Sequence, residues 1–172
     1  MEEFFDWVDR HDHIIGITSR EDAHRLNLFH RAVHLYVKGE SGGLILQKRS
    51  LSKDLEPGLW TVSCSGHVDR GETYDIAALR EIKEELGVTL DRSVLVDLLH
   101  SGPSRENGYE FIRSYEVISK IQPVVHDPKE ISEIREVKLY ELDNWLVEEP
   151  EVFASSFRLL YPLARKRFQR IT

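Results

Sequence analysis

Residues 66–88 read GHVDRGETYDIAALREIKEELGV, and no other stretch limits the fold as much. At about 100° per residue, Ile76, Leu79, Ile82 and Leu86 fall on one side of a helix. That helix starts at Glu72 or Thr73 and stops near Gly87, a residue suited to the left-handed C-terminal position. Glu81, Glu84 and Glu85 fall within an arc of about 100° on the other side. Such a helix buries its apolar side against a sheet and gathers three carboxylates opposite. Like charges at i,i+3 and i,i+4 repel by roughly 0.2–0.5 kcal/mol per pair, and Lys83 lies too near the apolar side to compensate. A solvated acidic face is the plain alternative. Three carboxylates on one face also make a hard, oxygen-rich site suited to Mg²⁺ or Mn²⁺.

The rest of the chain supplies the sheet. EFFDWVD and HIIGIT read as a hairpin; HRAVHLYV and GLILQKR are strands joined by the turn KGESGG. LWTVSCSGHV reads as one strand running into a loop, VLVDLLHSG, EFIRSYEVI and EIREVKLY as further strands. YELDNWLVEE and EVFASSFRLLYPLARKRF look helical, with Pro162 expected to kink the second or to start a new helix. The class is therefore α/β or α+β, a sheet covered by helices, in a single domain over residues 1–172.

Composition narrows the function. A net charge of −7 disfavours a nucleic-acid polymer as partner. No apolar run reaches the length of a membrane span, and the acidic start MEEFFDWVDR does not resemble a secretory leader. The lone Cys64 cannot form an internal disulfide, so a cytoplasmic setting is expected.

The pattern Gly, five residues, Glu, seven residues, Arg-Glu, aliphatic, any residue, Glu-Glu, any residue, Gly, aliphatic is met by Gly66, Glu72, Arg80, Glu81, Ile82, Glu84, Glu85, Gly87 and Val88. This resembles the Nudix box of the Nudix hydrolase superfamily, without departure. The seven fixed residues would coincide by chance about once in 10⁸ to 10⁹ starts. The resemblance implies an α/β/α sandwich with a mixed β-sheet between helices. It implies Mg²⁺ (or Mn²⁺) held by Glu81, Glu84, Glu85 and the Gly66 carbonyl, with Glu84 and Glu85 catalytic and Glu72 and Arg80 supporting the loop and helix. The implied reaction is attack of water on a phosphorus of a small-molecule diphosphate. The superfamily takes its general base from the box or from a later loop, so Glu110, Glu130 and Glu133 are candidates, with Glu130 carried forward. HDPKEISEIREV resembles the acidic loop that precedes a late strand in many members. A homodimer is among the assemblies open to such a chain.

FHRAVHLYV, LILQKRSLSKDLEPGLWTVSCSGHVDRGET and the box together resemble the branch containing type I isopentenyl-diphosphate isomerase and its hydrolase-like relatives, over about residues 4–118. That resemblance implies diphosphate contacts from Lys48, Arg49, Lys53 and His67, and further ligands in His30 and Glu110, with His24 near a third histidine position. The isomerase needs a cysteine just before the Gly-His pair, where this chain has Ser65. Cys64 is one residue early, which turns a strand side chain to the other face. The ligand glutamate two residues before Glu110 is replaced by Gly108. A hydrolase is therefore favoured over an isomerase, and both over a non-catalytic binding module. His30, Ala32, His34 and Tyr36 share one strand face, which could line a cleft or meet solvent. Trp60 is read as core before it is read as a base-stacking platform.

Overall fold

The computed structural model describes residues 3–123 and 128–168. Along the chain run β1 (Phe4–Val8), β2 (Ile14–Ser19), α1 (Arg20–Leu26), β3 (His30–Val37), β4 (Leu44–Arg49), β5 (Trp60–Thr61) and β6 (Cys64–His67). There follow α2 (Tyr74–Leu86), β7 (Leu95–Ser101), β8 (Glu110–Val117), β9 (Ile131–Val137), α3 (Leu139–Glu148) and α4 (Ser155–Phe168).

A mixed four-stranded sheet has the order β6-β3-β8-β7, with β3 and β8 parallel and the other pairs antiparallel. An antiparallel three-stranded sheet, β5-β4-β9, stands beside it, and β1 and β2 form the expected hairpin. Helix α2 covers one face of the mixed sheet, packing Ala77, Ala78, Ile82 and Leu86 on Val33, Leu35 and Cys64. Helix α4 covers the other, with Phe157, Tyr161 and Ala164 on Tyr36 and Leu98, and Leu160 on Ala32 and Ile112. This is the α/β/α sandwich with a mixed sheet that the sequence implies.

Several local expectations are corrected. Ile76 does not join the apolar stripe of α2: it is 53% exposed, and the small Ala77 and Ala78 take the sheet contact instead. The close approach that alanine permits draws Glu81 and Glu85 inward as well. Leu139 and Tyr140 belong to α3, since β9 ends at Val137. Helix α4 begins only at Ser155 and runs unbroken past Pro162, which sits on its exposed side. Helix α1 is absent from the sequence expectation, although Ser19 accepts a hydrogen bond from the Asp22 N–H at 3.1 Å and Glu21 and Asp22 occupy the first turn. Of the acidic loop before β9, His126 and Asp127 lie outside the described residues.

LWTVSCSGHV is not one strand. Its first half pairs with β4 and its second with β3, so the chain crosses between sheets at Val62–Ser63. Ser63 is fully buried there. Its hydroxyl oxygen accepts from the Val37 N–H at 2.8 Å and donates to the Ile45 carbonyl at 2.5 Å, replacing ladder bonds that neither sheet can make at the crossing. Ser63→Ala should leave a buried donor and a buried acceptor unpaired and destabilise the fold by about 2 kcal/mol. The midpoint of a urea titration checks it, and an unchanged midpoint would remove Ser63 from this role.

Candidate functional site

Arg80 organises the helix that carries the box. Its Nε and Nη2 donate to the two carboxylate oxygens of Glu72 at 3.0 and 2.9 Å, a bidentate pair. Nη2 also donates to the His67 carbonyl at 2.9 Å, and Nη1 donates to Glu81 at 2.6 Å and Glu84 at 3.1 Å. Glu72 in turn accepts from the Asp69 N–H at 3.1 Å. One guanidinium thus ties the end of β6, the following loop and α2 together.

The three box glutamates differ. Glu81 lies against Gly66: a Cβ added there would stand 2.0 Å from Glu81 Oε1, so any side chain at position 66 would displace the carboxylate. Burial, and then the charge of Glu85, raise the Glu81 carboxyl to about 8. Glu85 accepts from the Gln47 amide at 3.0 Å and the Ser65 N–H at 3.2 Å, and burial raises its pKa despite these bonds and one from the Cys64 thiol. Glu84 is the open one, with its side chain 59% exposed. Two half-buried carboxylates that resist ionisation and a third at the rim form an oxygen donor set short of positive charge.

These groups border a cavity of about 710 Å³, enough for a small organic ligand. Arg49 and Lys53 reach its wall, and Lys53 pairs with Glu130, which also lines it. Lys48 does not: strand alternation turns it away, with its ammonium 5.7 Å from the centre of the Trp60 ring. Glu133 is likewise off the wall, paired with Arg135 at 2.9 Å. The loop between β4 and β5 is pinned across the opening. Asp54 meets Arg20 at 3.5 Å, Lys53 meets Glu130, and Glu56 accepts from the Ser155 N–H at 2.8 Å and its hydroxyl at 2.5 Å.

A second donor set lies beside the first. One nitrogen each from His24, His30 and His67 fall within 4.8 Å of one another. Glu110 Oε1 stands 3.2 Å from His67 Nε2 and 3.5 Å from His30 Nε2. Burial alone would raise the Glu110 carboxyl, but the two imidazoles hold it well below the usual carboxylate range. Burial, then His67 and His30, lower His24 to about 4. His30 Nδ1 lies 2.8 Å from the Leu28 carbonyl, which turns Nε2 toward Glu110 and the other two rings. The Nε2 atoms of His24 and His30 are buried with no hydrogen-bond partner among the described residues. The polar face of β3 therefore lines the site and does not meet solvent: His30 and His34 are 0% and 4% exposed.

The register of β6 is as the alternation predicts. Ser65 pairs with His34 on the cavity side, and Cys64 pairs with Leu35 under α2. Burial and the Glu85 charge push the Cys64 thiol well above its ordinary pKa. Trp60 is core, 5.6 Å centre to centre from Trp145. Sequence reasoning missed Arg20, Glu56, Arg105 and Ser155–Ser156 around the cavity, and Gln47 against Glu85. Only Arg20 had a local signal, the capping sequence of α1 at Ser19–Asp22.

Arg80→Ala strands Glu72 and removes the only ion-pair partner of Glu81 among the described residues. With Arg80 25% exposed, the expected loss is about 2 kcal/mol, a fall in Tm of roughly 5 °C. Arg80→Lys should recover little, because an ammonium cannot serve Glu72 through two parallel bonds. A melting curve checks both, and a wild-type Tm for Arg80→Ala would leave Arg80 with no structural role.

Residues 28–157 match the family described as the NUDIX domain. The chain is 31% identical over 160 residues to isopentenyl-diphosphate delta-isomerase 2 of Photorhabdus laumondii, covering 92% of this chain and 90% of that protein. It is 30% identical over 166 residues to an uncharacterized Nudix hydrolase of Clostridium acetobutylicum, covering 91% and 80% respectively. A crystal structure of a Deinococcus radiodurans protein superposes with a TM-score of 0.77 at 27% identity, over 95% of this chain and 98% of that one. Hydrolases and isomerases thus both stand among its relatives, and with a box that is complete and folded around Arg80 the chain belongs to the Nudix family, in the branch that resembles isopentenyl-diphosphate isomerase.

Proposed function

We propose that the chain is a metal-dependent hydrolase of a diphosphate bond in a small organic substrate. The observation that carries this reading is the convergence of Glu81, Glu84 and Glu85 on one cavity wall, with a single guanidinium, Arg80, paired to two of them and none to Glu85. That donor set fits Mg²⁺ or Mn²⁺, held by the three carboxylates and the Gly66 carbonyl. Bound there, the ion would supply Lewis-acid polarisation of the phosphoryl oxygens.

The chain's own residues do the rest. Arg49 and Lys53 take the phosphate oxygens, and Arg20 stands on the same wall as a further cation. Glu130 acts as general base on the attacking water. Its contact with Lys53 suits that role, since a phosphate drawing Lys53 away leaves the carboxylate free to accept a proton. Gln47 and the Ser65 N–H orient Glu85. His67 reaches the cavity beside Glu110 and binds the substrate there.

Glu84→Gln should lower turnover by about two orders of magnitude and leave Tm nearly unchanged, because Glu84 is exposed and its one ion pair, to Arg80, is screened by solvent. Glu85→Gln should lose activity and also stability. Its carboxylate accepts from Gln47, Ser65 and Cys64, and an amide would turn an NH₂ toward those donors. Phosphate release and melting curves check both, and full turnover in the two variants would sink the metal assignment.

An isomerase is the second reading, favoured by the cluster of His24, His30, His67 and Glu110, whose orphaned nitrogens suit a second divalent cation. Against it stand Ser65 at the cavity, Cys64 turned into the core with its thiol protonated, and Gly108 where a second carboxylate would be needed. Isopentenyl diphosphate with Mg²⁺ should therefore give no dimethylallyl isomer, and Cys64→Ala should keep most hydrolytic activity. Isomer formation that vanishes in Cys64→Ala would reverse this choice.

A further inference from the structure

Three hydroxyls on the cavity wall bear on what the diphosphate is attached to. Thr61 comes from β5, Ser65 from β6 and Ser156 from the first turn of α4. All three residues line the cavity. Thr61 is only 3% exposed, so an occupant that fills the cavity must either bond its hydroxyl or strand it. His34, the cross-strand partner of Ser65, adds a buried Nδ1 with no partner. By contrast the neighbouring Ser155 is already engaged by Glu56.

The remaining wall argues in the same direction. Its apolar members are small or few: Ala32, Val33, Leu55 and Ala154. Among the described residues it carries no phenylalanine, tyrosine or tryptophan, and Trp60, the nearest in sequence, is turned into the core. A nucleobase would find no phenyl or indole face to stack on, only the imidazoles of His24, His34 and His67, and an isoprenyl chain would find no continuous apolar channel.

Resting on the hydrolase reading above, we infer that the substrate is a base-free sugar or polyol diphosphate whose hydroxyl groups are recognised by Thr61, Ser65 and Ser156. Water adds to the terminal phosphorus, the bond from that phosphorus to the bridging oxygen breaks, and orthophosphate and the sugar monophosphate leave with one proton released. Hydroxyls on the wall give such a site its selectivity, because a substrate lacking the matching groups leaves them without a partner once water is displaced.

Three substrates with Mg²⁺ test this: ribose 5-diphosphate, ADP, which adds a base to it, and pentyl diphosphate, which has similar reach and no hydroxyls. The expected kcat/KM for ribose 5-diphosphate is at least roughly tenfold above both others. Thr61→Val, which keeps the shape of the side chain, and Ser156→Ala should each shrink the preference for ribose 5-diphosphate over pentyl diphosphate severalfold, through KM and not kcat. Two variants on separate elements keep the result interpretable if one folds poorly. ADP or pentyl diphosphate turned over as well as ribose 5-diphosphate would overturn the inference and leave the hydrolase reading standing, as would an unchanged preference in both variants. Orthophosphate released from none of the three would overturn both.

Discussion

The site depends on one guanidinium. Arg80 is rooted in α2, yet its firmest bonds are to Glu72 in the loop and to the His67 carbonyl on β6. Those bonds set how far the helix stands from the strand edge, and so bring the Glu81 carboxylate onto Gly66. A planar group with five donors is suited to this, since it can serve two carboxylate oxygens, a carbonyl and two further glutamates at once. The closeness it enforces also explains why the sequence has glycine at 66 and alanine at 77 and 78: larger side chains would hold the layers apart.

That closeness has an electrostatic consequence. Arg80 pairs with Glu72, Glu81, Glu84 and, at 3.8 Å, Asp69, while Glu85 lies partly buried nearby with only neutral donors. The excess negative charge appears as the raised pKa values of Glu81 and Glu85. Beside it, the histidine cluster around Glu110 has a different character, with three imidazoles and one carboxylate. An oxygen-rich and a nitrogen-rich donor set thus border one cavity, a combination that favours different cations at each. Between them lies Ser65, a hydroxyl of little nucleophilic or acidic strength. A one-residue register buries Cys64 and presents Ser65.

The box glutamates, their support by Glu72 and Arg80, and the strands of the sandwich are legible in the sequence because each is local. Helical periodicity places Glu81, Glu84 and Glu85 together whatever the rest of the chain does, and alternation puts Ser65 and Cys64 on opposite faces. Composition and charge exclude a basic nucleic-acid surface just as directly. The crossing at Ser63, the rotation of Ile76 into solvent and the loss of Lys48 from the wall were decided by how two sheets and a helix pack. No single segment contains that information. The same holds for the cavity: Arg20, Glu56, Thr61 and Ser156 come from four separate places in the chain, and each is an ordinary polar residue in its own neighbourhood. The sequence by itself determined where charge must be gathered, because neighbours on one helix cannot avoid each other. Only the tertiary structure decided which distant side chains share that space, because long-range packing alone sets which hydroxyls and cations face the same cavity.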